Sequence, residues 1–148
     1  MTYPSVGSCL TTTFCSTARA GEFTIPNLSS FKPTIHVKRS DVRLETDFNG
    51  LAITVFHLPR TKSLQAGEDD FWIKQHGPTD PEAALANHFR INNPPLDNAL
   101  FSYEHENAHR PLTKTKFIPR LTRAAKAAGL NPLQGHAWSI SLGAFLST

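Results

Sequence analysis

Cysteine is scarce in this chain. The two cysteines, Cys9 and Cys15, stand six residues apart with no histidine beside them. That spacing argues against a disulfide scaffold and a zinc knuckle and fits a reducing compartment. Cys15 reads as a small buried apolar residue rather than a nucleophile. Long apolar runs are lacking too: none approaches the ~20 residues that cross a bilayer, so no membrane partner is expected. Ala18-Arg19-Ala20 has the outline of a signal-peptidase site. However, no basic n-region precedes it, and Val6 to Phe14 is broken by glycine, serine and three threonines. The expected location is therefore nuclear or cytoplasmic, not secreted. Internal repeats and low-complexity tracts are absent.

The most informative absence is of negative charge. No Asp or Glu follows Glu106, whereas that tail carries Arg110, Lys114, Lys116, Arg120, Arg123 and Lys126. The acids crowd earlier, densest at Glu68, Asp69, Asp70, Asp80 and Glu82. A net charge of +3 and a pI near 9.1 thus average over two unlike regions. One-signed charge on one segment is the footprint of polyanion binding; its plainer counterpart is a solvated basic helix face.

What is present suits one domain: 148 residues, 39% hydrophobic, with enough chain for a core. Eleven prolines predict long loops and short elements. A buried helix is expected over Ser5 to Ala18 from Cys9, Leu10, Phe14 and Ala18, with three threonines weakening it and Gly21 stopping it. Pro26 to Pro33 reads as loop. His36 to Pro59 reads as a hairpin turning at Asp47-Phe48-Asn49-Gly50, and Phe71-Trp72-Ile73 as a third strand. Thr79 or Asp80 caps a helix that begins at Pro81 and runs to about Ile91. Leu100 to Tyr103 reads as a short strand. Thr113 caps the last clear helix, with Phe117, Leu121, Ala124 and Ala128 as its core stripe, Pro119 as a kink and Gly129 as its stop. Trp72 and Trp138 are expected in the core, and His76, His88, His105 and His109 on the surface or in structural roles.

His105-Glu106-Asn107-Ala108-His109 matches H-E-x-x-H, the signature of zinc metallohydrolases. That chemistry requires both histidines on one helix face and a third ligand. Here the motif follows a strand-like segment, Pro111 comes two residues after it, and no acid lies downstream. Leu112 and Thr115 occupy the places where the extended motif has glycine and histidine. Zinc hydrolysis is an alternative function with a poor context, and no metal is expected.

A second set of motifs is ordered along the chain. Arg19 and Glu22 form Arg-x-x-Glu at a helix end. Lys62 follows a hairpin in Leu58-Pro59-Arg60-Thr61-Lys62-Ser63. An Ala-Gly-Leu helix end leads to His136-Ala137-Trp138-Ser139. This order resembles the catalytic domain of tyrosine recombinases, the phage-integrase-like enzymes that break and rejoin DNA. The phrases Leu58 to Ser63, Gly77 to Glu82 and His109 to Thr113 look like the form carried by mobile elements of basidiomycete fungi. The resemblance spans about Cys9 to about Gly143.

The resemblance implies an α+β fold, mainly helical, with a small antiparallel sheet of two or three strands. It implies catalytic positions at Arg19, Lys62 and His136, with Glu22 as a structural acid. Duplex DNA is the implied partner, contacted at its phosphates by Arg60, Arg110, Lys114 and Lys116. It further implies chemistry without a cofactor, and self-association as in the family. Two departures bear on activity. Ser139 stands where the family's box has a second arginine, and a neutral hydroxyl cannot make a bidentate phosphate clamp. The family's nucleophilic tyrosine follows the box, whereas the tyrosines here, Tyr3 and Tyr103, precede His136. Without an attacking phenolate no phosphotyrosine forms. The expectation is a single, partial and vestigial catalytic domain over 1–148, with residual DNA binding and no turnover. The bleaker expectation is a non-functional remnant of a mobile element.

Overall fold

The computed structural model describes residues 4–16, 20–61, 64–73 and 80–127. Helix α1 (Pro4–Cys15) and the short α2 (Ala20–Phe23) precede a three-stranded antiparallel sheet of β1 (Val42–Thr46), β2 (Ala52–Leu58) and β3 (Glu68–Ile73) in that order. Helix α3 (Pro81–Asn92), the hairpin β4 (Tyr103–His105) and β5 (Ala108–Arg110), and helix α4 (Lys114–Ala127) complete the described residues. The fold is α+β, but not mainly helical. Two separate antiparallel sheets and two long Pro-rich connections, 24–41 and 93–102, account for much of the described chain. The β-branched, charge-alternating stretch after residue 41 explains the first sheet; the second depends on a turn discussed below.

The first hairpin turns as its Asn-Gly signal predicts, with Gly50 at φ 82°. Register then decides which residues face the core. Val42 pairs with Phe56 and Phe56 with Asp70; Thr54 pairs with Trp72. These positions share one face, and Phe56 and Trp72 are fully enclosed there. Gly67 is required more strictly: at φ 85° a Cβ would lie 2.4 Å from the carbonyl oxygen of Leu58.

Aromatic rings carry the core from the sheet to the helices. Trp72 contacts Phe56 at 5.7 Å between centroids, Phe56 meets Phe23 edge-on at 5.7 Å, and Phe23 meets Phe101 at 6.0 Å. Phe101 in turn abuts His88 on α3 at 5.6 Å. Helix α1 packs chiefly on α3, beginning at Pro4 rather than Ser5; Ala18 lies outside the described residues. Of its threonines, Thr11 bonds back to the helix, its Oγ1 donating to the Gly7 carbonyl at 3.1 Å, as Ser16 Oγ does to the Thr12 carbonyl at 2.6 Å. Among the described residues the Ser8 and Thr12 hydroxyls, one turn apart, are buried with no partner.

Asp80 caps α3 by accepting from the Glu82 amide at 3.0 Å, and Pro81 holds the first position. Asn93 ends the helix in the left-handed region at φ 40°. Thr113 caps α4 by accepting from the Lys116 amide at 3.2 Å. The stripe is buried at Phe117 and Leu121; Ala128 and Gly129 lie outside the described residues. Pro119 sits inside the helix as expected, so the Thr115 carbonyl has no i+4 amide to bond.

One expected strand is displaced. Residues 100–101 form a turn and Ser102 links onward, and the strand runs Tyr103–His105 instead. The reason is the turn at Glu106 and Asn107, both at positive φ, 50° and 65°. This two-residue connection folds Ala108–Arg110 back on β4, pairing Tyr103 with Arg110, Glu104 with His109 and His105 with Ala108.

Candidate functional site

That hairpin rules out the geometry a helical H-E-x-x-H requires. Directly paired residues share a face, so His105 lies on the face of Ala108 and His109 on the opposite face with Glu104. His109 Nε2 lies 2.7 Å from the Asn92 carbonyl oxygen, bonding the hairpin to the end of α3. Among the described residues no group of three His, Cys, Asp or Glu side chains could hold a metal. His88, expected on the surface or in a structural role, is structural: its ring lies 2.8 Å from the Leu100 carbonyl and 3.0 Å from the Asn92 side chain. Burial pushes its pKa down to about 4. Asn92 also accepts from the Glu104 amide at 3.1 Å, so the buried histidine fixes where the hairpin starts.

A backbone staple places the hairpin's other neighbour. The Ile25 amide donates to the Leu112 carbonyl at 3.0 Å, and the Lys114 amide to the Ile25 carbonyl at 2.9 Å. This parallel bridge sets the loop after Pro26 beside the start of α4. Between loop, hairpin and helix lies a hollow of about 680 Å³, lined by Asn27, Leu28, Ser29, Tyr103, Arg110, Thr113, Thr115 and Lys116.

Its electrostatics are one-sided: two cations line it and no carboxylate does. Lys116 Nζ donates to the Tyr103 hydroxyl at 3.0 Å and lies 4.3 Å from the ring centroid. Hydroxyl and ring face together hold the ammonium against the hairpin. Arg110, half-buried on the facing strand, forms no ion pair with a described residue. Lys114 and Lys116 occupy the first turn of α4, where helices favour acids because the dipole is positive there. Among the described residues the Thr115 amide has no acceptor, the other first-turn amides being bonded to Ile25 or Thr113. Arg110 and the Thr115 amide are donors of the kind that bind anions.

The sequence-derived residues divide accordingly. Arg110 and Lys116 converge in the hollow. Lys114 is exposed at the first position of α4, and Arg60 is exposed just beyond β2; neither lines it. Glu22 is half-buried on α2, near enough to Asp70 for like charge to help raise that carboxyl's pKa to about 6, after burial. Arg19, Lys62, His136 and Ser139 lie outside the described residues, as do His76 and Trp138. Trp72 is a core residue, 2% exposed. Cys15 is half-buried, its thiol pKa pushed up by burial and then by Asp80.

Tyr103, Asn27, Ser29 and Thr115 were not anticipated. The turn pair Glu106-Asn107 was the available signal for Tyr103, because a two-residue hairpin there sets it opposite Arg110. No helix among the described residues is long and apolar enough to cross a membrane. Comparison with protein-family profiles, curated proteins and solved structures gave no match.

Proposed function

We propose that this chain binds duplex DNA through its phosphates, as a recombinase-like domain without strand-cleaving turnover. The observation that carries the reading is the convergence of Arg110 and Lys116, from two different elements, in a hollow with no lining acid. A guanidinium fork and an ammonium are the side chains that grip phosphate oxygens. Exposed Lys114 extends the cationic surface along the first turn of α4. The ordered motifs Arg19-x-x-Glu22, Lys62 and His136 support a recombinase ancestry. Serine at position 139, and the placement of both tyrosines before His136, argue against cleavage by these residues.

Fluorescence anisotropy with labelled duplexes tests this. Binding should be tolerant of sequence and should weaken as salt rises, with a log–log slope of about −3 for three phosphate contacts. Nicked duplex should yield no covalent adduct. Salt-insensitive binding, or none at low salt, defeats the reading; a phosphotyrosyl adduct defeats its second half.

A further inference from the structure

We infer that the free edge of β1 pairs with the same edge of a second copy of this chain, antiparallel and centred on Leu44. This surface is separate from the hollow and from DNA binding. Among the described residues β1 has one strand neighbour, β2, so its other edge carries unpaired backbone groups. Their phase is fixed by the turn. The Asp47 amide donates to the Leu51 carbonyl at 2.9 Å, one step beyond the Thr46–Ala52 pair. Bonded and non-bonded pairs alternate along an antiparallel ladder. The backbone groups of Asp47, Glu45 and Arg43 therefore point to β2, and those of Thr46, Leu44 and Val42 point outward. The Val42 amide is held by the Arg39 carbonyl, so Val42 offers the edge its carbonyl alone. Leu44 is 77% exposed, and Arg43, Glu45 and Thr46 are exposed with it.

Edge strands are ordinarily guarded by charge. Here the guard is neutralised, because Arg43 bonds Glu45 and Asp69 of its own chain. With Asp47 on the turn beside Phe48, itself 99% exposed, the hairpin suits protein rather than a polyanion. The order of charges then selects the partner. Only outward-pointing residues meet as bonded pairs, so a two-fold axis near the middle of β1 falls on Arg43, Leu44 or Glu45. On Arg43 it sets two guanidiniums face to face, and on Glu45 two carboxylates. On Leu44 it sets Arg43 of each copy against Glu45 of the other. In that register Leu44 exchanges both backbone bonds with its counterpart, and each Thr46 amide meets a Val42 carbonyl. The Arg43–Glu45 pairs fall at non-bonded positions, where side chains are closest. Each guanidinium keeps Asp69 and exchanges its own Glu45 for that of the second copy, so no charge is left over. The contact is isologous and joins the two three-stranded sheets into one. Five residues per strand make it weak and dependent on concentration.

Sedimentation equilibrium of the full chain at low salt, over rising concentration, tests this. A monomer–dimer equilibrium is expected. Leu44→Lys sets two ammonium groups at the dyad and should abolish it. Arg43→Glu and Glu45→Arg should each weaken self-association about tenfold or more, since each sets like charges opposite one another twice. Mixed together, those two variants should form a heterodimer, because each supplies the charge that the other lacks. Amide NMR spectra establish that each variant is folded. Leu44→Lys alters a side chain already exposed in the monomer, so it decides the matter even where a charge variant fails to fold. A chain that stays monomeric at every concentration overturns the inference and leaves the edge to a strand of another protein. A dimer indifferent to Leu44→Lys overturns it too, by placing the contact on another surface. So does a mixture of the two folded charge variants that remains monomeric.

Discussion

Two arginines on two antiparallel sheets show how differently this molecule uses the same charge. Arg43 on β1 donates to Glu45 at 2.6 Å and to Asp69 at 2.7 Å, and Asp69 also lies 3.0 Å from His57. Those contacts keep the guanidinium charged and hold the Asp69 carboxyl below its ordinary pKa. The network closes on itself and leaves no charge to offer. Arg110 on β5 has no carboxylate among the described residues and faces a lysine across a hollow. Paired charge neutralises itself in place, whereas cations that separate elements bring together raise the local positive potential.

The contrast can be broken at its support. Phe117 is fully buried and anchors α4, which carries Lys114 and Lys116, to the core. Phe117→Ala should cost about 3–5 kcal/mol in chemical denaturation, from lost burial plus the cavity left behind. A loss below 1 kcal/mol would mean α4 is not seated as described.

Acid attacks the same support through His88. Its pKa falls from 6.5 when unfolded to about 4 in the fold, chiefly by burial. The unfolded chain therefore binds more protons between those values. Stability is fully present above pH 6.5 and declines as pH falls toward 4, by a total of about 3 kcal/mol. His88→Gln, with no imidazole to protonate, should flatten that decline in urea melts at pH 7, 5.5 and 4.5; an unchanged profile places the titration elsewhere.

Arg110→Gln sharpens the comparison directly. DNA affinity should fall about tenfold and the salt slope should shrink by about one. Arg43→Gln should leave both unchanged, since its charge is already spent on Glu45 and Asp69. Equal effects of the two substitutions would erase the distinction between them.

The smallest effect belongs to the acidic side. Asp70 is half-buried near Glu22 and Glu68, and its pKa is raised from 3.8 to about 6, first by burial. The protonated carboxyl suits the fold, so its contribution is present below pH 3.8 and is lost as pH rises through about 6. Asp70→Asn should modestly raise the thermal midpoint at pH 7.5, with the gain disappearing at pH 4.

Some of this could be read without coordinates because the signal was local. Asn49-Gly50 sets a turn by φ preference alone, Asp80-Pro81 starts a helix by capping geometry, and the Phe117/Leu121 spacing names the inner face of α4. The second hairpin was missed because Glu106-Asn107 is a less familiar turn pair than Asn-Gly, and because the histidines around it imitate a helical zinc motif. The site was half legible. Arg110 and Lys116 stood out as part of an acid-free tail; Tyr103 and Asn27 carry no such mark.

The linear chain settled the charge asymmetry, the turns and the caps, because each depends on residues within a few positions of one another. It could not settle which cations would meet. That depended on the Ile25–Thr113 bridge, which joins residues 88 apart, and on a buried His88–Asn92 pair steering β4. Contacts at that separation form only when burying the shared core makes closing the intervening chain favourable.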